Sequence, residues 1–160
     1  MKTKKRIVFL SGTRADFGKL KSLINISNKS HLFEVHVFVT GMHLDKKFGF
    51  TIDEIQKEDY KNIYSYKNYS KSSRMDIILS NTIKGFSEYI IEVQPDLIIV
   101  HGDRVEALAG AISGSLNNIL VAHVEGGEIS GTIDELIRHA VSKLSHIHFV
   151  SNDEAASRLV

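Results

Sequence analysis

Short, nearly continuous apolar runs recur along this chain, and no other feature restricts its fold as much. They occupy residues 7–10, 35–39, 97–100, 119–124 and 147–150, with a weaker alternating run at 63–66. Runs that do not alternate suit strands covered on both faces, as in a parallel sheet. Helical spacing lies between them. Phe17, Leu20, Leu23 and Ile24 share one face, as do Met75, Ile78, Leu79, Thr82 and Phe86. The same holds for Val105, Leu108, Ala109, Ile112 and Leu116, and for Ile133, Leu136, Ile137, Ala140 and Leu144. Thr51-x-x-Glu54, Asp103-x-x-Glu106, Thr132-x-x-Glu135 and Ser151-x-x-Glu154 have capping-box spacing, with Asp standing for Ser/Thr in the second. Pro95 closes the long third helix. Strands alternating with helices require right-handed crossovers, so the expected fold is α/β, a Rossmann-like doubly wound parallel sheet of six strands. Residues 151–160 read as the start of a further helix, which suggests an N-terminal piece of something longer.

Composition narrows the functional classes. A length of 160 residues suits one domain with a sizeable core. Lys+Arg 20 against Asp+Glu 19 leaves a net charge of +1, without the basic excess of a general nucleic-acid binder. Tyr60, Tyr64, Tyr66 and Tyr69 therefore read as a partly buried strand edge rather than a base-stacking platform. They sit in the Lys/Ser/Tyr/Asn-rich stretch 60–73, the nearest approach to a compositional break. With no cysteine, disulfides and thiolate metal sites are excluded. No apolar run reaches the roughly 18 residues of a membrane span, and the run at 7–10 is too short for a signal-peptide core. A cytoplasmic protein with neither nucleic-acid nor membrane partners is the expectation. Among the 8 histidines, His146 and His148 alternate on one run while His101 and His123 lie at the ends of two others. Without a His-Glu-x-x-His helix, they read as core or supporting groups, and no metal is expected.

Ligands of open α/β sheets bind beyond the carboxyl ends of the strands, where strand order reverses. The chain places its unusual residues there. Ser11-Gly12-Thr13-Arg14-Ala15-Asp16 follows the first strand, Thr40-Gly41-Met42-His43 the second, His101-Gly102-Asp103-Arg104 the fourth and Glu125-Gly126-Gly127-Glu128 the fifth. Gly12-Thr13-Arg14 is either a plain turn, with glycine supplying positive φ and Thr13 a cap, or a phosphate cradle with Arg14 as its fork. The G-x-G-x-x-G spacing of dinucleotide sites is absent. Asp103 is either a helix cap or a working acid, and Arg104 either a solvated charge or a ligand contact. Glu125 directly follows a buried strand, where a shifted pKa is expected. Asp134 and Glu135 open a helix whose dipole favours them. Three carboxylates (Asp103, Glu125, Asp134) converging with two arginines would suit proton transfers on a substrate whose phosphates the arginines hold.

Gly12-Thr13-Arg14-Ala15-Asp16-Phe17-Gly18, Thr40-Gly41-Met42-His43-Leu44, His101-Gly102-Asp103-Arg104, His123-Val124-Glu125-Gly126-Gly127-Glu128 and the Gly131 to His139 segment together resemble the UDP-N-acetylglucosamine 2-epimerases. The likeness runs in order over the whole chain. Arg-Ala-Asp in the first loop and Glu-Gly-Gly-Glu after the fifth strand are similar to the hydrolysing branch. Non-hydrolysing enzymes tend to carry Pro-Glu after the loop Arg and Ala after the strand-five Glu. The resemblance implies a GT-B-type two-domain enzyme of which this chain is the first domain. A C-terminal domain, with a His and further UDP-binding residues, would lie outside it. It implies substrate binding by Arg14, Ala15, Arg104 and His43, catalysis by Asp103, Glu125 and Asp134, no cofactor, and a homo-oligomer at full length. The implied reaction loses UDP from the anomeric carbon as the C2 proton leaves. Water then adds to the resulting 2-acetamidoglucal, and a proton returns to C2 from the opposite face, giving N-acetylmannosamine for sialic acid synthesis. Two alternatives stay open: the related hydrolysing enzyme for UDP-2,4-diacetamido-2,4,6-trideoxyglucose of the legionaminic acid route, and a nucleotide-sugar binding module without catalysis. A third and blander reading makes the acids no more than helix caps.

Overall fold

Each apolar run forms a strand, and how completely it is buried follows its place in the sheet. In a computed structural model of the chain, which describes residues 4–69 and 74–160, the order is β1 (Lys5–Ser11), α1 (Arg14–Lys29), β2 (Phe33–Val39), α2 (Ile52–Gln56), β3 (Asn62–Ser65), α3 (Met75–Val93), β4 (Leu97–His101), α4 (Val105–Leu116), β5 (Leu120–Val124), α5 (Ile133–Leu144), β6 (Ile147–Phe149) and α6 (Asp153–Leu159). Two short 3-10 turns, Gly41–Leu44 and Lys46–Phe48, separate β2 from α2. The last four residues of the 60–73 stretch lie outside the described residues. All five strand pairings are parallel, and the strands run in the order β3-β2-β1-β4-β5-β6. This is the doubly wound Rossmann order, in which the crossovers reverse between β1 and β4. The continuous runs β1, β2, β4 and β5 hold the four central positions and are buried along most of their length, while the edge strands β3 and β6 stay partly exposed.

Two cores sandwich the sheet. Phe17, Leu20 and Ile24 of α1, with Ile52 and Ile55 of α2, cover Ile7, Phe9, Val35, Val37 and Ile99 on one side. On the other, Phe86, Tyr89 and Ile90 of α3, residues of α4, and Ile137 and Val141 of α5 cover Val8, Leu10, Phe38, Ile98, Val100 and Val121. Phe38 anchors the second core. Its ring meets Phe86 edge-on at 4.9 Å and Tyr89 at 5.2 Å, and stacks on Tyr64 at 5.5 Å, geometries that aromatic quadrupoles favour. Among the described residues no helix is long and apolar enough to cross a membrane.

Apolar spacing finds only part of the inner faces of two helices: Val105, Leu108 and Ala109 of α4, with Ile137 and Leu144 of α5, pack as expected. The expected α4 face includes Leu116, which is 76% exposed. The rest of the packed surface is made of small residues that spacing does not mark: Ala107, Gly110, Ala111, Ser113 and Gly114 are buried. Close approach is the reason. A Cβ on Gly110 would lie 2.8 Å from Val100 Cγ1 and 3.1 Å from Leu10 Cδ1, and one on Gly114 would lie 2.6 Å from Val121 Cγ2. In α5, Ile133 and Leu136 are exposed, and Ile137 and Val141 carry the packing.

The capping readings also divide. The capping box that forms is Thr13 with Asp16, not one of the four expected. Thr132 does accept from Asp134 N, but Asn152 rather than Ser151 caps α6, and neither Thr51 nor Arg104 gives a side-chain cap. Because α4 is pressed this closely onto β1 and β4, Gly110→Val should lower stability by about 2–3 kcal/mol through overpacking, measured by urea unfolding. An unchanged or raised midpoint would show that α4 has room to move outward.

Candidate active site

The loops leaving β1 and β4 part to opposite faces of the sheet, which opens the rim between them. His101, the last residue of β4, is in register with Val124, the last of β5. Asp103 and Glu125 therefore emerge side by side on neighbouring loops. Glu125 has φ of 62°, a left-handed backbone that a non-glycine residue adopts at a cost of about 1–3 kcal/mol. A hydrogen bond from its N–H to the Phe149 carbonyl, 2.8 Å, helps hold it there.

Glu125 sits in a cluster of four charges. Its Oε1 accepts from Lys19 Nζ at 2.7 Å, and its Oε2 lies 3.1 Å from His101 Nε2. The other His101 nitrogen, Nδ1, lies 2.9 Å from Asp16 Oδ1. With a carboxylate on each side, the imidazole satisfies both only when doubly protonated. Burial opposes that charge, but the hydrogen bond and charge of Asp16, joined by Glu125, outweigh it and raise the His101 pKa. Burial likewise pushes Glu125 up. The Lys19 hydrogen bond and the His101 charge win, holding its carboxyl below the usual range. Lys19 is raised by its bond to Glu125 and by the carboxylate charge. Asp16 is fixed from behind, because its Oδ2 accepts from Thr13 N at 2.8 Å, Thr13 Oγ1 at 2.9 Å and Gly12 N at 3.2 Å.

The other expected acids are held differently. Asp103 does not cap α4. Its Oδ2 pairs with Arg138 Nη2 of α5, while Arg138 Nη1 donates to the Glu128 carbonyl at 3.1 Å. Asp134 lies one turn before Arg138 on α5, and its N–H donates to Thr132 Oγ1 at 3.3 Å. Glu135 ties the preceding loop by accepting from Ser130 N at 2.8 Å and Gly131 N at 2.5 Å.

Arg14 and Arg104 form their ion pairs with other carboxylates. Arg14 is exposed and pairs with Glu54 of α2 at 3.3 Å, and Arg104 Nε faces Glu106 at 3.9 Å. Among the described residues no ion pair joins either arginine to Asp103, Glu125 or Asp134. The cations that do reach the acids are Lys19, His101 and Arg138. Ala15 is exposed beside Arg14. His43 is fully buried, with Nε2 2.9 Å from Ser11 Oγ and Nδ1 2.7 Å from Thr51 Oγ1, so it supports the β2 loop from within and does not line a surface.

Gly12 also works differently from expected. Its φ is not positive, and it is needed because a Cβ there would lie 3.0 Å from Glu106 Cγ. Lys19 and Arg138 carry no pattern signal. Glu106 is marked only by its capping-box spacing with Asp103, and Asp16 has a like spacing from Thr13. Among the described residues no group of three or more His, Asp or Glu is arranged to hold a metal ion.

Comparison with known proteins then supplies context. The sequence model of the family described as UDP-N-acetylglucosamine 2-epimerase matches residues 25–160. A Neisseria meningitidis protein named UDP-N-acetylglucosamine 2-epimerase is 49% identical over 98% of this chain and 41% of its own length. A Legionella pneumophila protein named UDP-N,N'-diacetylbacillosamine 2-epimerase (hydrolyzing) is 38% identical over 98% of this chain and 42% of its own. In fold, the chain superposes with a TM-score of 0.86 on the crystal structure of a Neisseria meningitidis UDP-GlcNAc 2-epimerase bound to UDP-GlcNAc, at 22% identity, covering 96% of this chain and 42% of that one. The chain thus spans about two fifths of the length of the curated relatives it matches.

Two buried histidines give the site a pH signature. Burial lowers the His43 pKa to about 4 and the His123 pKa to about 4. His123 is fully buried, with Nε2 2.8 Å from the Gly102 carbonyl and Nδ1 3.1 Å from Ser142 Oγ. Below the ordinary value of 6.5 the unfolded chain takes up protons that these folded rings refuse. The stability they contribute is complete above 6.5 and is lost as pH falls toward about 4. His101 acts oppositely: its contribution is full at low pH and lost as pH rises through its raised pKa. Urea unfolding through the acidic window should show a loss of about 1 kcal/mol per pH unit per buried ring. His43→Gln should flatten that slope, and an unaltered slope would mean that His43 is protonated in the folded state.

Proposed function

This chain belongs to the UDP-N-acetylglucosamine 2-epimerase family, and from that premise we propose that the whole protein is the hydrolysing enzyme, converting UDP-N-acetylglucosamine and water to N-acetylmannosamine and UDP. The observation that carries the reading is Glu125, an ionised carboxylate held at the rim in a left-handed backbone by Lys19 and His101. Departure of UDP from the anomeric carbon leads and builds positive charge on the sugar ring, which a fixed carboxylate stabilises. The C2 proton passes to a carboxylate as the double bond of 2-acetamidoglucal forms. Water adds its hydroxyl to the anomeric carbon, and a proton returns to C2 from the other face.

Asp103 and Glu125 handle the two C2 proton transfers from adjacent loops, and Asp134 orients or activates the water. His101, donating to both Glu125 and Asp16, holds Glu125 ionised and oriented as the proton acceptor. Arg14, Ala15 and Arg104 bind the UDP portion. The protein works in the cytoplasm as a homo-oligomer, with a C-terminal domain closing the cleft. The higher identity to the relative named for UDP-N-acetylglucosamine favours that sugar over a diacetamido-trideoxy sugar.

The test is turnover by the full-length protein in deuterated water, with NMR of the products from each candidate UDP-sugar. N-acetylmannosamine deuterated at C2 is expected. Glu125→Gln should reduce kcat about 10²- to 10⁴-fold, and Asp103→Asn and Asp134→Asn should also lose activity. Full activity in all three variants removes the assignment. UDP binding without turnover by the wild type would instead make this a nucleotide-sugar binding module.

A further inference from the structure

Glu106 is a buried acid for which the reaction above has no use. It opens α4 at 3% exposure, beneath the loops that follow β1 and β2. A Cβ on Gly12 would lie 3.0 Å from its Cγ, and one on Gly41 would lie 2.8 Å from its Oε1. Both loops therefore roof this carboxylate with bare backbone. Its Oε1 accepts from Asn68 Nδ2 at 3.3 Å. Asn68 is itself fixed, accepting from Gly41 N at 3.2 Å and donating to Thr82 Oγ1 at 2.8 Å. Its Oε2 is buried with no hydrogen-bond partner among the described residues. An orphaned carboxylate oxygen is costly and calls for a donor. The cation facing it is Arg104, whose Nε stands 3.9 Å away, beyond hydrogen-bond reach.

Arg104 needs such an anchor. It occupies the N-cap position of α4 without a side-chain cap bond, and the helix dipole disfavours a cation there. Its long side chain is partly exposed and has many rotamers to lose on binding a ligand. A carboxylate on Nε would leave both terminal nitrogens free as a fork for two oxygens of one phosphate.

We propose that Glu106 is a positioning residue for Arg104: its orphaned Oε2 is the seat onto which the Arg104 Nε–H closes when the guanidinium fork grips the pyrophosphate of a UDP-sugar. This rests on the reading above that Arg104 binds the UDP portion. Glu106 touches no substrate and acts through the orientation of its partner. Removing it therefore weakens binding of the nucleotide without slowing the chemistry at the sugar.

Calorimetric titration with UDP and steady-state kinetics with UDP-N-acetylglucosamine, both on the full-length protein, test this in wild type, Glu106→Gln, Arg104→Lys and the double variant. Glu106→Gln should weaken UDP binding and raise KM about tenfold, with kcat changed less than about twofold. The double variant should bind UDP no more weakly than Arg104→Lys alone, since the anchor has no fork left to aim. Multiplying losses in the double variant, or a fall in kcat at constant KM, would overturn the proposal. Should Glu106→Gln fail to fold, nitrogen-15 NMR of the unsubstituted protein decides. Slowed solvent exchange of the Arg104 Nε–H on adding UDP supports the anchor, and unchanged exchange overturns it. A wild type that binds UDP yet releases no N-acetylmannosamine would defeat the epimerase reading and leave the UDP-binding arm intact, whereas a wild type that does not bind UDP overturns this inference.

Discussion

The rim of the sheet depends on one buried pairing, His101 between Asp16 and Glu125. Asp16 begins α1, His101 ends β4 and Glu125 follows β5, so a single imidazolium fastens three segments that meet only in the folded state. Lys19 completes the set, leaving two positive groups against two negative ones. Asp16 and His101 are buried, so removing either would strand a charge that solvent screens poorly. The same pairing keeps Glu125 ionised and in place despite its positive φ. Backbone strain at this position is sustained because the surroundings over-determine it, which is how strained residues persist at working sites.

Close approach is the second constraint. Small residues on α4 let that helix lie against β1, β4 and β5, and this brings Glu106 under the β1 and β2 loops. Gly12 and Gly41 then pass directly over the carboxylate. Gly41 has the further requirement of a φ of 61°. The rim is therefore layered. The exposed Arg14 and the partly exposed Arg104 stand outermost, the half-buried acids Glu125 and Asp103 come next, and the enclosed His43, His123 and Glu106 lie beneath. Charges are best fixed in the middle layer, where partners surround them and some solvent still reaches them.

Much of the candidate site was legible because strand ends are legible. Once 97–100 and 119–124 read as buried strands, Asp103 and Glu125 had to leave on adjacent loops at the carboxyl edge. Which cation serves which acid was not legible. Lys19 and Glu125 are 106 residues apart, and Arg138 and Asp103 are 35 apart. Nothing local distinguishes these pairs from Arg14, which reaches Glu54, or from Arg104. Side-chain reach and helix rotation decide such choices, and both are set by packing. Two helix faces were legible only in part for a related reason. Apolar spacing marks large side chains, whereas α4 also buries a run of small residues.

The sequence by itself determined the class of fold, the six strands, their parallel packing and which loops leave at the carboxyl edge, because burial on both faces forces continuous apolar runs and crossovers force the handedness. It also determined which acids stand at that edge. The tertiary structure alone decided the pairings: His101 as a bridge, Arg138 on Asp103, His43 inside the wall and Glu106 with an unfilled oxygen. Strand periodicity is local and written along the chain. Electrostatic partnership depends on distances of a few ångströms between segments far apart in sequence, and those distances exist only once the layers have packed.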